Sequence, residues 1–410
     1  MPALNPFKVL QRHRNFRLFW LGQTLSLIGT WMQSMALGWL ALELTNNAFL
    51  VGLVVSAGSL PVELFSMHAG VLADRYSRLR LVKICQSLLL AEAALLFWLT
   101  WTGHISIAWL LAFAFAGGVV SSVEIPSRQS LVIELVGRED LPQAIALNSS
   151  GFNLARILGP AMAALVISRF GIAWAFGLNA ISFVTVLIGL VMIELPPWQP
   201  AAKLVRPLDG IRESVRFMRE TPSVAAMMKL VTVYSILGIP YLTLMPVLAR
   251  DRLGLGAGGY GLLLACVGIG GFVGALGLAA RTGPQGGIKT LVAASYAFPV
   301  ILLALSATSE VRLAYVLLLA AGGAMIVNGA VSNAILQHSV PDALRGRMMA
   351  AYSFVVVGLA QTVGSFLAGA IARALGVQWA IALGAVVMLG YGAYAFRLPP
   401  FRATGAAPAT

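Results

Sequence analysis

The strongest constraint in this sequence is a recurrence of apolar runs, each near the length a helix needs to cross a bilayer core, separated by short polar turns. On a requirement of about 20 apolar residues per span, about twelve runs are legible. The first half gives 16–42, 48–73, 82–102, 105–128, 143–168 and 172–194. The second gives 223–248, 258–280, 288–307, 311–334, 346–372 and 377–397. Hydrocarbon offers no partner to a backbone N–H or C=O, so runs of this length satisfy those groups internally, as helices. Composition removes the soluble alternative. Hydrophobic residues make up 59% of the 410 and charged residues 10%, against roughly a quarter charged in a soluble domain. The expected fold class is an all-α membrane protein with twelve transmembrane helices.

The formal net charge of +13 does not point to nucleic acid, because the basic residues are dispersed in short clusters between apolar runs. Cys85 and Cys266 fall in or beside apolar runs and make neither a disulfide framework nor a metal spacing. Lys8, Arg12, Arg14 and Arg17 lead into a first run that is too long for a signal segment and has no Ala-x-Ala site, so it reads as a retained span.

Pro196 to Pro222 is the one extended polar stretch. It opens with Pro196, Pro197 and Pro200, and continues from Leu208 to Glu220 with Ile211, Val215, Phe217 and Met218 set against Arg212, Glu213, Arg216 and Arg219. That pattern predicts a short amphipathic surface helix. The chain accordingly divides into a six-helix half over 1–195, a linker over 196–222 and a second six-helix half over 223–410. The halves repeat. Ala116-Gly117-Gly118 returns as Ala321-Gly322-Gly323, Gly159 and Gly171 return as Gly364 and Gly376, and Gly171-Ile172-Ala173-Trp174-Ala175 returns as Gly376-Val377-Gln378-Trp379-Ala380. One offset of about 205 residues relates them, which predicts a parallel duplication and two pseudo-symmetric halves.

With the N-terminus inside, the outer side holds only Arg169, Arg250, Arg252, Arg312 and Arg373. Nearly all other Lys and Arg fall inside, except Arg156 and Lys229 within the spans. The positive-inside bias therefore places both termini and the central linker in the cytoplasm.

Between the second and third runs lies Gly70-Val71-Leu72-Ala73-Asp74-Arg75-Tyr76-Ser77-Arg78. This loop resembles the one that joins the second and third helices of major facilitator superfamily transporters. Phe16 to Gln23, Pro126 to Leu131 and Leu344 to Met348 extend the resemblance over nearly the whole chain, toward the drug-exporter branch that includes the enterobactin exporter and macrolide efflux proteins. The resemblance implies the major facilitator fold and a cytoplasmic latch of Gly70, Asp74, Arg75 and Arg78. Within the latch, Arg78 would pair with Asp74, Glu124 or Glu134. It also implies a helix-packing motif at Gly159 and Pro160. The chain departs from the pattern at Ser77 and Leu79. Thr30 stands before Trp31, where the branch often carries an acid.

Ionisable groups inside a bilayer are costly and are candidates for function. Glu63 follows Pro61 near the middle of the second span, and Arg156 lies mid-way along the fifth, with Glu124 as a candidate partner. These three are the residues expected to couple proton and substrate. Glu92, on a span that the resemblance places outside the central cavity, reads as structural or interfacial. Gln23, Thr30, Trp31, Gln33, Tyr234, Tyr241 and Asn328 are candidate cavity-lining residues for an amphipathic ligand.

The reading is a proton-coupled exporter of a small amphipathic organic molecule, a drug or siderophore, working by alternating access as a monomer in the bilayer of a bacterial inner membrane. A lysolipid or metabolite transporter of other direction is the second reading, and a non-transporting sensor or scaffold is a third of another class. No cofactor, metal or nucleic acid is expected, and no nucleophile-and-base set or phosphate loop indicates an enzyme. A topology reporter fused after Pro200 is expected to be active on the cytoplasmic side; periplasmic activity would invert the assignment.

Overall fold

The computed structural model describes residues 7–196, 216–280 and 287–402. Twelve of the helices among them are long and apolar enough to cross a membrane. They are α1 Arg14–Thr45, α2 Ala48–Arg75, α3 Arg78–Trp101, α4 Ile107–Val136, α5 Leu141–Phe170 and α6 Ala173–Val191, then α7 from Pro222–Gly238, α8 Ala257–Ala280, α9 Gly287–Ala307, α10 Val311–Ser339, α11 through Asp342–Ser353 to Ser365–Leu375, and α12 Val377–Ala395.

Local chemistry sets the turns. Asn46 takes a left-handed conformation (φ 48°) and closes α1 with its N–H on Leu42 O at 2.8 Å. Asn47 Oδ1 then accepts from the Phe49 N–H at 3.0 Å and opens α2. Ser77 and Ser106 accept in the same way from Arg80 and Trp109 at the starts of α3 and α4.

Two spans are less regular than the hydropathy pattern predicts. Proline interrupts α7, which passes through a single tight turn at Ile239–Tyr241 and a wide turn at Leu248–Arg252. Pro240 and Pro246 lack the N–H that a continuous ladder requires. The middle of α11, Phe354–Gly364, is wound as a π-helix, a form concentrated at functional sites. The fourth run was expected to end at 128, but α4 continues to Val136. Beyond the polar residues around Arg128, Leu131, Val132, Leu135 and Val136 are buried with Phe16, Phe19, Val82 and Leu147. Hydropathy detects the membrane crossing, whereas the helix ends where its buried stripe ends. Most of the expected linker helix, 208–215, lies outside the described residues. Arg216 to Glu220 is helical and carries an exposed Arg216–Glu220 ion pair at 2.7 Å.

The chain forms two compact units. Unit 1 comprises Met1–Asn46, Ala57–Val205 and Ala257–Gly261; unit 2 comprises Asn47–Ser56, Arg206–Gly256 and Leu262–Thr410. In unit 1, α1 packs on α5 and α6, and α3 packs on α4 and α6. In unit 2, α7 packs on α11 and α12, and α9 packs on α10 and α12. The packing scheme is thus the same in each. Each unit also takes in the first turns of a helix from the other sequence half. In unit 2, Phe49 meets Phe366 edge-on at 5.3 Å and Ser56 Oγ donates to Thr362 O at 2.8 Å. In unit 1, Tyr260 stacks on Trp39 at 5.8 Å.

Two pairs of the repeated glycines have matching structural roles. A Cβ on Gly159 of α5 would run into Trp31 Cβ and stand 3.0 Å from Ile28 O of α1. A Cβ on Gly364 of α11 would stand 2.6 Å from both Ile236 O and Pro240 Cγ of α7. Gly171 (φ 87°) and Gly376 (φ 96°) close α5 and α11 in one backbone conformation, open to glycine and strained for other residues. In lipid, helices associate through such close backbone approach. Gly364→Ala is therefore expected to lower unfolding stability by about 1–3 kcal/mol. Gly277→Ala, on a face with nothing within 4 Å, should be neutral. Thermal unfolding in one detergent compares the two.

Candidate functional site

The described polar groups of unit 1 fall into layers along its helices. Three of the predicted cavity residues lie along α1, where Thr30 is exposed, Trp31 half-buried and Gln23 buried. Thr30 Oγ1 donates back to Ser26 O at 2.9 Å, Trp31 meets Phe152 edge-on at 5.7 Å, and Gln23 is buried. Gln33 is the centre of a chain of amides. Its Oε1 accepts from Asn179 Nδ2 of α6 at 2.8 Å, and its Nε2 donates to Glu92 Oε1 of α3 at 3.4 Å. Glu63 is half-buried in α2, and Arg156 is half-buried in α5 three residues before Gly159.

Glu124 is buried in α4, and its Oε1 accepts from Arg128 Nε at 2.8 Å and from Gln86 Nε2 of α3 at 3.1 Å. The sequence reading had looked to Arg156 for this carboxylate. Arg128 was passed over because the run was taken to end there, whereas an uninterrupted helix puts residues i and i+4 side by side. The surrounding donors make this pair a structural brace. Removing one member of such a pair leaves a buried charge uncompensated, at a cost of about 3–5 kcal/mol.

At the α2–α3 turn, Arg78 Nη1 donates to Glu134 Oε1 of α4 at 2.5 Å, one of the three partners the sequence left open. Arg75 is exposed. The latch positions Gly70 and Asp74 fall in α2, in a stretch whose side chains lie outside the described part. Nearby, Asp140 precedes α5 and draws in the short helix Lys8–Arg12. Its Oδ2 takes His13 Nε2 at 2.7 Å and Arg12 Nη1 at 3.1 Å. The His13 hydrogen bond, aided by the Arg12 charge, holds the Asp140 carboxyl below the ordinary aspartate range.

In unit 2 the predicted cavity residues lie in the interior. The Tyr234 hydroxyl donates toward Ser295 O at 2.8 Å and Met388 O at 3.2 Å, and Asn328 Nδ2 donates to Ser295 Oγ at 2.7 Å. Tyr241 is buried edge-on against Phe298 at 6.0 Å. For Tyr234 and Asn328 this is a packing arrangement that ties α7 to α9 and α12, and α9 to α10.

Residues 3–410 match the model of the transmembrane secretion effector family. The chain belongs to that family, within the major facilitator superfamily. It is 27% identical over 263 residues to the staphyloferrin A transporter of Staphylococcus aureus, a match covering 63% of this chain and 66% of that protein. It is 27% identical over 281 residues to the enterobactin exporter EntS of Shigella flexneri, covering 65% of this chain and 63% of that one. The matches thus span just under two thirds of these relatives. Two solved structures share the fold. One is a bacterial homolog of the human lysosomal transporter Spinster (TM-score 0.75, 14% identity, all of both chains). The other is the nucleoside transporter NupG (TM-score 0.69, 12% identity, 96% of this chain and 99% of that one).

Sequence reasoning missed two features of this family member. Asn179 went unnoticed because a lone amide in an apolar run carries no periodic signal. Asp140 stands just before Leu141 and Pro142, a helix-start position, but nothing in the chain near it names His13 and Arg12 as its partners. Because its carboxyl is depressed in the folded state, the docking it supports is complete above the ordinary aspartate value of about 4 and fades as pH falls through the depressed one. Protease cleavage near Lys8 should rise only in that acid window. Asp140→Asn should be cleaved at neutral pH as well, and His13→Ala should move the window upward.

Proposed function

We propose that this protein is a secondary transporter that exports a small amphipathic organic molecule across a bacterial inner membrane by alternating access, using proton entry as its driving force. The observation that carries the proposal is the family match over residues 3–410, taken with two units that repeat one packing scheme and retain ionisable side chains inside their spans. A scaffold has no need to keep Glu63, Glu92 and Arg156 at membrane depth, where each is costly. The relatives named for staphyloferrin A and enterobactin make iron-chelating siderophores the first substrate class to examine. In this reading Glu63 and Arg156 serve coupling and substrate contact. Asp74, Arg75 and Arg78 form an inner latch that must break in every cycle and so contributes a few kcal/mol at most.

The test uses purified protein in proteoliposomes with an imposed pH gradient and an internal pH dye. Siderophores, amphipathic drugs and lysolipids are added in turn. Proton movement triggered by a siderophore or drug and absent from empty vesicles is the expected result. Substrate movement without proton flux would remove the coupling, and no movement across the panel would favour a sensor or scaffold.

A further inference from the structure

We propose that Glu92 is a proton-exchange site, and that its charge state is relayed through Gln33 of α1 to Asn179 of α6. This deepens the proposed function, since it names a coupling group for the proton-driven transport proposed above. It also revises the structural role expected for Glu92.

The site is built by four helices of unit 1. Glu92 comes from the middle of α3. Its Oε1 faces Gln33 Nε2 at 3.4 Å, and Gln33 Oε1 in turn accepts from Asn179 Nδ2 at 2.8 Å. The Ser182 hydroxyl has two acceptors on Asn179, the main-chain O at 2.7 Å and Oδ1 at 3.0 Å. Two glycines make room for this layer. A Cβ on Gly117 of α4 would stand 2.6 Å from Glu92 Oε2, and a Cβ on Gly29 of α1 would stand 2.5 Å from Ser182 Oγ and run into Asn179 Oδ1. Asn179 is buried, while Glu92 and Gln33 are half-buried, so the carboxyl is set in the packed bundle without being sealed.

Carboxamides are the partners a proton site needs, because each offers a donor and an acceptor on one rotatable group. The ionised carboxylate accepts from Gln33 Nε2. When it takes one proton from water it becomes a neutral acid with an O–H to donate. Gln33 then turns so that Oε1 accepts from Glu92 and Nε2 faces Asn179. Asn179 must turn in response, presenting Oδ1 to Gln33 and giving up the Ser182 bond. Return of the proton to water reverses each step, and no electrons move. A single protonation on α3 thus rearranges hydrogen bonds between α3, α1 and α6. An arginine or lysine partner would hold the carboxylate in one state.

The other charged groups on the four helices that build the site lie away from it along those helices; beyond them, among the described residues, Glu63 of α2 and Arg156 of α5 are the ionisable groups within the remaining spans of this unit. On α1 the ionisable groups are Arg14, Arg17 and Glu43, the last accepting from Trp39 Nε1 at 2.5 Å and lying about three turns from Gln33. On α4 they are Glu124 and Arg128, paired with each other about two turns or more from Gly117, and Glu134, paired with Arg78. α6 carries no Asp, Glu, Lys, Arg or His, and on α3 itself Arg78, Arg80, Lys83 and Cys85 lie toward its N-terminal end, about two turns or more from Glu92.

The experiment follows carboxyl protonation in the full-length protein in lipid by infrared difference spectroscopy across a pH titration, beside proton-coupled transport in the same vesicles. Wild type should show a protonated-carboxyl band that Glu92→Gln lacks. Gln33→Leu and Gly117→Ala keep the carboxyl and should displace the midpoint of that band by about one pH unit or more. They also cover the case in which Glu92→Gln fails to fold. An unchanged band in Glu92→Gln, or an unmoved midpoint in both other variants, overturns the proposal. If the band is lost in Glu92→Gln while wild-type transport proves independent of pH, the proton site stands and the coupled-transport reading falls.

Discussion

Helices in hydrocarbon gain little from burying leucine against leucine, since lipid tails are equally apolar. Close backbone approach is therefore the interaction on which the rest of this structure depends. The contact of α5 with α1 at Gly159 is repeated by that of α11 with α7 at Gly364, and in both cases the facing atoms include a main-chain carbonyl. A side chain at either position would separate the helices and weaken every dispersion contact along the pair. The glycines set the spacing, and the larger residues fill what remains. Phe16, Phe19, Phe176, Leu131 and Leu190 are fully enclosed at that spacing.

The same spacing decides which polar groups can be kept. With a Cβ on Gly117 or Gly29 there would be no room for the Glu92, Gln33 and Asn179 layer. Elsewhere charge is stabilised by local donors instead. Glu124 has Arg128 and Gln86, Asp140 has His13 and Arg12, and Arg78 has Glu134. Each of these carboxylates has a cationic partner within hydrogen-bond distance. The donor to Glu92 is a neutral amide, that of Gln33, which distinguishes it from the bracing pairs.

Much of this was legible in the sequence, because the signals were of the right length. Spans read from windows of about 20 residues recur as twelve helices, and Gly159 with Gly364, and Gly171 with Gly376, prove to hold equivalent positions. Features finer than a window were not legible. The end of α4 escaped because its last turns are amphipathic rather than apolar. The partner of Glu124 escaped with it, since Arg128 stood at the expected end of the helix. The wide turns of α11 have no counterpart in hydropathy. Tyr234 and Asn328 looked like cavity residues because a polar group in an apolar run resembles a ligand contact. Their actual partners, Ser295 and Met388, are distant in sequence and are brought close only by packing.

Glu92 shows why such a distinction matters for mechanism. From sequence it was one acid on a peripheral span, and nothing nearby in the chain supplied a partner. The fold brings Gln33 to it across 59 positions and Asn179 to Gln33 across 146. A carboxyl meant only to tie α3 to α1 could be replaced by a glutamine with no desolvation cost for charge. A carboxyl facing amides that can turn keeps both protonation states satisfied, and the hydrogen bonds of α1 and α6 differ between them. Because α1 also carries the Gly159 contact, a change in its polar layer is mechanically continuous with the α1–α5 interface. In the proposed scheme this gives the proton a route into helix packing that lies within a single unit.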